Sequence, residues 1–413
     1  MRILIASDCH LPIPAVLGGA IPSLMDTIIL ENEREQRLNI DVLSVFNEKA
    51  ETQSEDLRQT SITYLKHSLI EKILDYCIQC VLEIIMPSRK GRNLELFWKK
   101  KVLRRLKSML KSNDYGAVII ENQGFLTRVF LDHALFQKYQ GKIYYHLHND
   151  IPNSVIDVVG SSGQLILISN YLSKRIVDKY GEDAKKHISI LKNGIPIQNY
   201  NKSMDKVERF NMRAALGFSE SNHVICFVGR ICEEKGVLVL LEAFLKITDP
   251  SVRLLIVGAT EFGNNITSKF EKRVYDICDE LADRVKMTGY ISHDDIWKYF
   301  QLSDVAVLPS MWEEPAGLTV LEAMASGVPV ITTDAGGIPE YLGNEHGVIV
   351  KRDNNIVEYI VEAINCVIRN PDDWKEKAQN DAKFIIQNYS ENGFYRGFCS
   401  ILRNKNTHGE TGE

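Results

Sequence analysis

The sequence predicts an α/β protein built from two doubly wound parallel-sheet domains. Two observations point there. Continuous apolar runs of four to six residues, the pattern of parallel strands buried on both faces, recur through both halves of the chain and alternate with stretches of helical periodicity. A polar, charged stretch at 197–222 with no strand pattern separates the halves. The length agrees, since 413 residues exceed what one core organises at ~150 residues per domain. With 45% hydrophobic and 25% charged residues the composition is that of a globular protein, which excludes a disordered or fibrous chain. A net charge of −5 argues against nucleic acid as a partner.

In the first domain, taken as residues 1–196, the N-terminal Met-Arg-Ile-Leu-Ile-Ala runs straight into a strand at 3–6, so no signal peptide is expected. The turn Leu17-Gly18-Gly19-Ala20 leads into a helix at 21–30. Further strands are expected at 41–46, 117–120, 143–147 and 165–168. The second domain, 197–388, offers strands at 224–228, 254–257, 285–288, 305–308, 328–332 and 348–350. Helices are expected between them at 237–247, 266–281, 294–302 and 318–325, and two amphipathic helices over 355–388. Residues 389–413 are too few for a third domain and are expected as a helix or tail that crosses back to the first. No stretch approaches the ~18–20 uninterrupted apolar residues of a membrane span, so a cytoplasmic protein is expected.

The eight cysteines are scattered, several inside apolar runs such as Val-Ile-Cys226-Phe-Val, as expected of small core residues in a reducing compartment. Cys77 and Cys80 form C-x-x-C within an apolar helical pattern at 73–85. No second pair completes a zinc site, and no metal is expected there.

Ligands of doubly wound sheets bind beyond the C-terminal ends of the strands. After the strand at 224–228 come Gly229 and Arg230, then Lys235-Gly236 opening a helix. Glycines admit close backbone approach, and a guanidinium with an ammonium suits a diphosphate. A solvated loop with incidental charges is the plain alternative. After the strand at 305–308, Pro315 holds Glu314 in a loop and a helix begins between Pro315 and Thr319, placing Glu322 a turn or more inside it. Free amides at that helix start suit phosphate, and a carboxylate one turn deeper suits ribose hydroxyls. Alternatively Glu314 serves the helix dipole and Glu322 sits on the surface.

The spacing Glu314-x7-Glu322, with Phe227-Val228-Gly229-Arg230, Lys235-Gly236, Ala325-Ser326-Gly327-Val328-Pro329-Val330 and Thr333-Asp334-Ala335-Gly336-Gly337-Ile338-Pro339-Glu340, resembles the retaining glycosyltransferases of the GT-B fold, family four or group 1 type. Lys192-Asn193-Gly194-Ile195 resembles the family's Asn-Gly-Ile-Asp element, with Pro196 where the family has Asp. The resemblance covers roughly 185–350 strongly and the first half loosely. It implies two Rossmann-like domains facing a cleft, the first on the acceptor side and the second binding a nucleotide-sugar donor. Arg230 and Lys235 would hold the donor diphosphate, Glu314 a sugar hydroxyl and Glu322 the ribose. The amides of Gly317, Leu318 and Thr319 would complete the phosphate site with Gly229, and Gly18 and Gly19 would form the N-terminal glycine loop. In Tyr144-Tyr145-His146-Leu147-His148, His148 at the strand end matches the family's His near the donor sugar, while His146 is expected to be packed. Glu121, Asp150 and Ser169 are weaker strand-end candidates. No D-x-D occurs in the chain, so a metal-independent enzyme with no cofactor is expected, His148, Glu314, Arg230 and Lys235 being its catalytic groups.

Residues 89–111 carry ten Lys/Arg against one acid, Glu95. Leu94, Phe97, Trp98, Val102, Leu106, Met109 and Leu110 run through them at mainly three- and four-residue spacing. Such a helix either lies on an anionic membrane or packs its stripe inward. Lipid docking fits a peripheral protein on the inner face of the cell membrane. The expectation is transfer of a hexose-type sugar, from UDP most simply, to a hydroxyl of a glycan or lipid-linked saccharide in cell-surface polysaccharide synthesis. The alternatives are a GT-B nucleotide-sugar epimerase or sugar-phosphate-using synthase, and a non-catalytic nucleotide-sugar-binding partner.

Overall fold

The computed structural model describes residues 1–404 except 8, 86–94, 150–162, 201, 260–268 and 344. The chain forms two compact units. The first comprises Met1–Ile168, Leu172–Lys192 and the chain from Phe394; the second comprises Ser169–Tyr171 and Asn193–Gly393. The division thus falls at Lys192 and Asn193 rather than after residue 196, and the C-terminal helix is shared out to the first unit.

The first unit holds a seven-stranded, wholly parallel sheet of β1 (Arg2–Ala6), β2 (Asn39–Val45), β3 (Thr60–Leu65), β4 (Ala117–Glu121), β5 (Ile143–Leu147), β6 (Gly163–Leu167) and β7 (Ile188–Ile190), in the order β3-β2-β1-β4-β5-β6-β7. The sequence pattern missed β3 and β7. Both are edge strands: Thr-Ser-Ile-Thr-Tyr-Leu is only partly buried and lacks an apolar run, and β7 has three residues. Helix α1 (Ala20–Glu35) buries Leu24, Met25, Ile28 and Ile29 against β1 and β2. Its buried Asn32 exchanges hydrogen bonds of 2.9 Å with the backbone of Leu38 and accepts one of 2.7 Å from the Tyr395 hydroxyl. The C-terminal helix is tied to the first core in this way, and Phe394, Phe398 and Leu402 pack into the same cluster.

The apolar helix at 73–85 extends over Leu69–Ile85 as α2 and is followed in the described chain by α3, Leu96–Ser112. Cys77 on α2 is exposed and Cys80 half-buried, so these two are not core residues. Most of the stripe of the basic segment is not available to a membrane, Phe97 alone of its described residues being exposed. Trp98, Val102, Leu106, Met109 and Leu110 are buried, because the amphipathic helix turns its apolar side to its own domain and leaves its cations outside. Leu94 and residues 89–93 lie outside the described residues.

The second unit holds a six-stranded parallel sheet of β8 (His223–Val228), β9 (Val252–Val257), β10 (Val285–Gly289), β11 (Val305–Leu308), β12 (Val330–Thr333) and β13 (Val348–Val350), in the order β10-β9-β8-β11-β12-β13. Helices α4 (Val237–Leu245), α5 (Lys269–Glu280), α6 (Ile296–Leu302), α7 (Leu318–Ala325), α8 (Ile356–Arg369) and α9 (Pro371–Asn388) cover its two faces. At the N-terminal end of the sheet, buried Arg213 donates to the Leu302 and Asn222 carbonyls and to Asp304 at 2.8 Å. Asp304 in turn accepts from the Val224 amide at 2.7 Å. That end is closed by a structural ion pair, which leaves the opposite end for ligands.

Candidate functional site

In the second unit the predicted residues gather at the C-terminal ends of β8 and β11, which are neighbours in the sheet. Gly229 and Arg230 directly follow β8, and the Gly229 amide still donates to Val257 at 3.0 Å. A short 3-10 turn, Glu233–Lys235, carries the chain to Gly236. Gly236 has φ +71°, and a Cβ there would stand 1.9 Å from the Pro309 carbonyl oxygen. No side chain fits, so the turn bearing Lys235 lies directly on the loop after β11. The Met311 amide donates to the Glu234 carbonyl at 2.8 Å, joining the same two loops.

Across this contact the Lys235 ammonium donates to Glu314 Oε1, which also accepts from Ser310 Oγ at 3.0 Å. The groups assigned to diphosphate and to a sugar hydroxyl are therefore paired with one another. Arg230 is half exposed, 3.3 Å from Glu234. The Glu314 segment is fixed from the other side by the Asp-Ala-Gly-Gly turn. Gly337 N donates to the Glu314 carbonyl at 2.7 Å, and Gly336 N donates to the Glu313 carboxylate at 2.8 Å. At Gly336, φ is +55° and a Cβ would lie 2.2 Å from the Glu314 carbonyl oxygen. The spacing of that motif thus has a mechanical reason: its glycines are the seat on which the Glu314 loop rests.

Helix α7 opens at Gly317, its N-cap, whose carbonyl accepts from Val320 and Leu321 at 3.0 and 3.1 Å. The first-turn amides, Leu318 and Thr319 among them, have no carbonyl one turn back. Glu322, in the second turn, is buried and bonded through Oε1 to His293 Nε2 at 2.8 Å. That bond raises the His293 pKa above its ordinary 6.5. His293, in the short turn after β10, was not singled out in the sequence; a histidine four residues past a strand end was the available signal.

In the first unit Gly18 (φ +73°) and Gly19 (φ +106°) form the turn before α1, Gly19 as its N-cap. His148 directly follows β5 and is buried, as is His146 on β5. Glu121, at the end of β4 and in register with His146, lies between them. His148 Nε2 is 3.1 Å from one carboxylate oxygen, and His146 Nδ1 is 3.2 Å from the other. Burial would raise the Glu121 pKa, but the His146 charge and hydrogen bonds from both rings hold it down at about 2. Burial, then the neighbouring His146, lowers His148 to about 4 despite the carboxylate. Near neutral pH an anionic Glu121 can only accept, so Nε2 of His148 carries the proton and Nδ1 is left as an acceptor. Glu121 is thereby a larger part of this site than its sequence position suggested; matching the strand ends of β4 and β5 was the signal.

The three ligand atoms lie within 4.8 Å of one another, so Glu121, His146 and His148 could hold a metal ion. Each imidazole already directs an N–H at the carboxylate, and a metal would have to displace those protons. Ser169 is buried just past β6, while Asp150 lies outside the described residues.

Residues 208–383 match the family model described as Glycosyl transferases group 1. Spore coat protein SA of Bacillus subtilis (strain 168) is 29% identical over 213 residues, 50% of this chain and 56% of that protein. The lipopolysaccharide 1,2-N-acetylglucosaminetransferase of Salmonella typhimurium is 28% identical over 206 residues, 49% of this chain and 51% of the enzyme. The chain thus spans about half the length of the curated relatives it matches. Over nearly its full length it is similar in structure to Alr3699/HepE of Anabaena, crystallised with UDP, at TM-score 0.74 and 18% identity, covering 98% of this chain and 100% of that one. A glycosyltransferase from Rickettsia africae gives TM-score 0.74 at 16% identity, covering 98% of each chain. The second unit belongs to the glycosyl transferases group 1 family, and the chain as a whole has the GT-B fold.

Proposed function

We propose that the chain is a retaining, metal-independent glycosyltransferase. It moves a hexose-type sugar from a nucleoside diphosphate, UDP, to a hydroxyl of a glycan or lipid-linked saccharide in cell-surface polysaccharide synthesis. The observation that carries this is the junction of the β8 and β11 loops. It presents Arg230, Lys235 and the start of α7 at the ligand end of one sheet, with Glu314 bonded to Lys235 and Glu322 one turn into the helix. The crystallisation of Alr3699/HepE with UDP supports the choice of base, and the Salmonella transferase supports a surface-saccharide acceptor.

Cleaving a sugar–phosphate bond moves negative charge onto the diphosphate. Two cations and a helix start bind that developing charge more tightly than the intact donor, which lowers the barrier. Glu314, released from Lys235 as the ammonium turns to phosphate, orients a sugar hydroxyl, and Glu322 accepts from the ribose. His148 is assigned to the donor sugar, offering the Nδ1 acceptor that Glu121 leaves to it. The leaving phosphate takes the acceptor hydroxyl's proton on the face it departs from, which retains the anomeric configuration.

A thermal-shift panel of UDP-, GDP-, ADP- and dTDP-sugars tests the donor, with UDP-sugars expected to give the largest stabilisation. NMR of the product anomer tests retention, and an inverted linkage refutes it. Turnover unchanged in excess EDTA is expected; strict dependence on added Mg²⁺ or Mn²⁺ overturns the metal-independent mechanism.

A further inference from the structure

Helix α2 is amphipathic the wrong way round for a domain helix. At 100° per residue, Leu69, Ile73, Tyr76, Cys80 and Ile84 share one side with Ile70, Leu74, Cys77, Val81 and Ile85, and that side faces out. Leu69, Ile70, Ile73, Tyr76, Val81 and Ile84 are each more than half exposed, Ile84 by 80%. The inward side carries the half-buried Ile78 and Leu82 together with carboxylates. Asp75 is buried and accepts from the amides of Phe97 and Trp98 at 2.9 and 3.2 Å, capping α3. Glu71 pairs with Lys101 at 3.0 Å. Turning α2 to bury its apolar side would break this cap and this pair, so the exposure is fixed by the fold. Contiguous apolar side chains exposed along the whole of a helix about 25 Å long are what marks a docking site on a protein surface.

The neighbouring helix indicates the partner. The contacts 75 to 97 and 71 to 101 run α3 antiparallel beside α2. Helix α3 exposes Lys100, Arg104 and Arg105, which have no ion pair among the described residues, Lys100 and Arg104 on the side away from its buried stripe. Leu96 and Phe97, also exposed, extend the apolar face onto α3. An apolar slab bordered by cations is complementary to lipid chains beneath anionic headgroups. We propose that the outer face of α2, flanked by the α3 cations, docks the protein on an anionic bilayer. Trp98, Val102, Leu106, Met109 and Leu110 of α3 take no part, being buried.

The test is co-sedimentation of the full chain with vesicles of 30% phosphatidylserine in phosphatidylcholine, and of phosphatidylcholine alone, in low and in high salt. Expected is binding to the anionic vesicles at low salt, weakened in high salt and on neutral vesicles. The double variant Ile73→Asp/Ile84→Asp should abolish binding while leaving the unfolding temperature within a few degrees, because both side chains already face out. Lys100→Ala/Arg104→Ala should weaken it roughly 25-fold, about fivefold per cation. Absence of vesicle binding in every condition overturns the proposal. So does a dimer in light scattering that Ile73→Asp/Ile84→Asp dissociates while vesicles fail to bind, since the face then serves a second copy. The outcome is independent of the donor and acceptor chemistry, which the thermal-shift and anomer measurements read separately.

Discussion

Replacing Glu121 by Gln removes the one charge that both histidines of the first unit address, at nearly constant volume. In the fold the carboxyl titrates at about 2, against an ordinary 4.5. At 1.36 kcal/mol per unit, the folded state favours the ionised group by about 3 kcal/mol. The amide resembles the protonated form, so Glu121→Gln should cost about that much at pH 7.5. Each kcal/mol moves the transition by roughly 2–4 °C for a unit of about 150–250 residues, so calorimetry should show a fall of about 6–12 °C. The sign of the pH dependence follows from the direction of the shift. A depressed carboxylate contributes stability that is fully present above its unfolded pKa and lost as pH falls through its folded one. The gap between wild type and variant should therefore stay constant from pH 8 to 5.5 and narrow below about 4.5. His148, at about 4 in the fold against 6.5 unfolded, adds an acid loss between those values and is removed in the difference only if the variant leaves it unshifted. Imidazole ¹⁵N spectra check this, with Nε2–H expected for wild-type His148. A fall under 2 °C at pH 7.5 refutes the account of the buried triad.

Three further outcomes are expected. Lys235→Ala should reduce donor turnover by about 10²–10³, the loss of one transition-state cation donor, while stability changes by no more than about 1 kcal/mol because its pair with Glu314 is partly exposed; steady-state kinetics and a melting curve check both, and turnover within threefold of wild type removes Lys235 from the site. Gly236→Ala forces a Cβ to within 1.9 Å of the Pro309 carbonyl at φ +71°, so a loss of at least about 3 kcal/mol is expected in urea unfolding, and an unchanged midpoint would show that the two loops are not in contact. His293 has its pKa raised by Glu322, so its contribution is fully present below pH 6.5 and is lost as pH rises through the folded value; His293→Asn should flatten that alkaline decline in melting temperature, and a wild type that gains stability over the same range contradicts the pairing.

The inner strands of the second unit, β8, β9, β11 and β12, are visible in the sequence because burial on both faces writes an uninterrupted apolar run, whereas the edge strands β10 and β13 are only partly buried and show through shorter apolar stretches. Strand β3 lacks that run because an edge strand meets solvent, and its threonines, serine and tyrosine interrupt the signal. The site divides along a similar line. Arg230, Lys235, Glu314 and Glu322 could be named from strand ends and glycine spacing, since their loops are local. The bond between Lys235 and Glu314 joins residues 79 apart and needs the adjacency of β8 and β11, which no local pattern encodes. Glu121 and His148 required the register of β4 against β5 in the same way. The basic segment shows why periodicity alone misleads. Amphipathicity tells which side of a helix is apolar but not what covers that side. In α3 the domain covers it, whereas in α2 the buried side was won by Asp75, whose carboxylate caps the next helix and so turns eight large apolar side chains outward. A hydrogen bond to a helix start fixes direction and a hydrophobic contact does not, so a capping carboxylate can decide the orientation of a whole helix against the pull of its apolar side. Removing the cap with Asp75→Ala should then loosen α2, and faster amide hydrogen exchange confined to Leu69–Ile85 and the first turn of α3 would show it; exchange unchanged in both segments would mean that something other than Asp75 holds the apolar face outward.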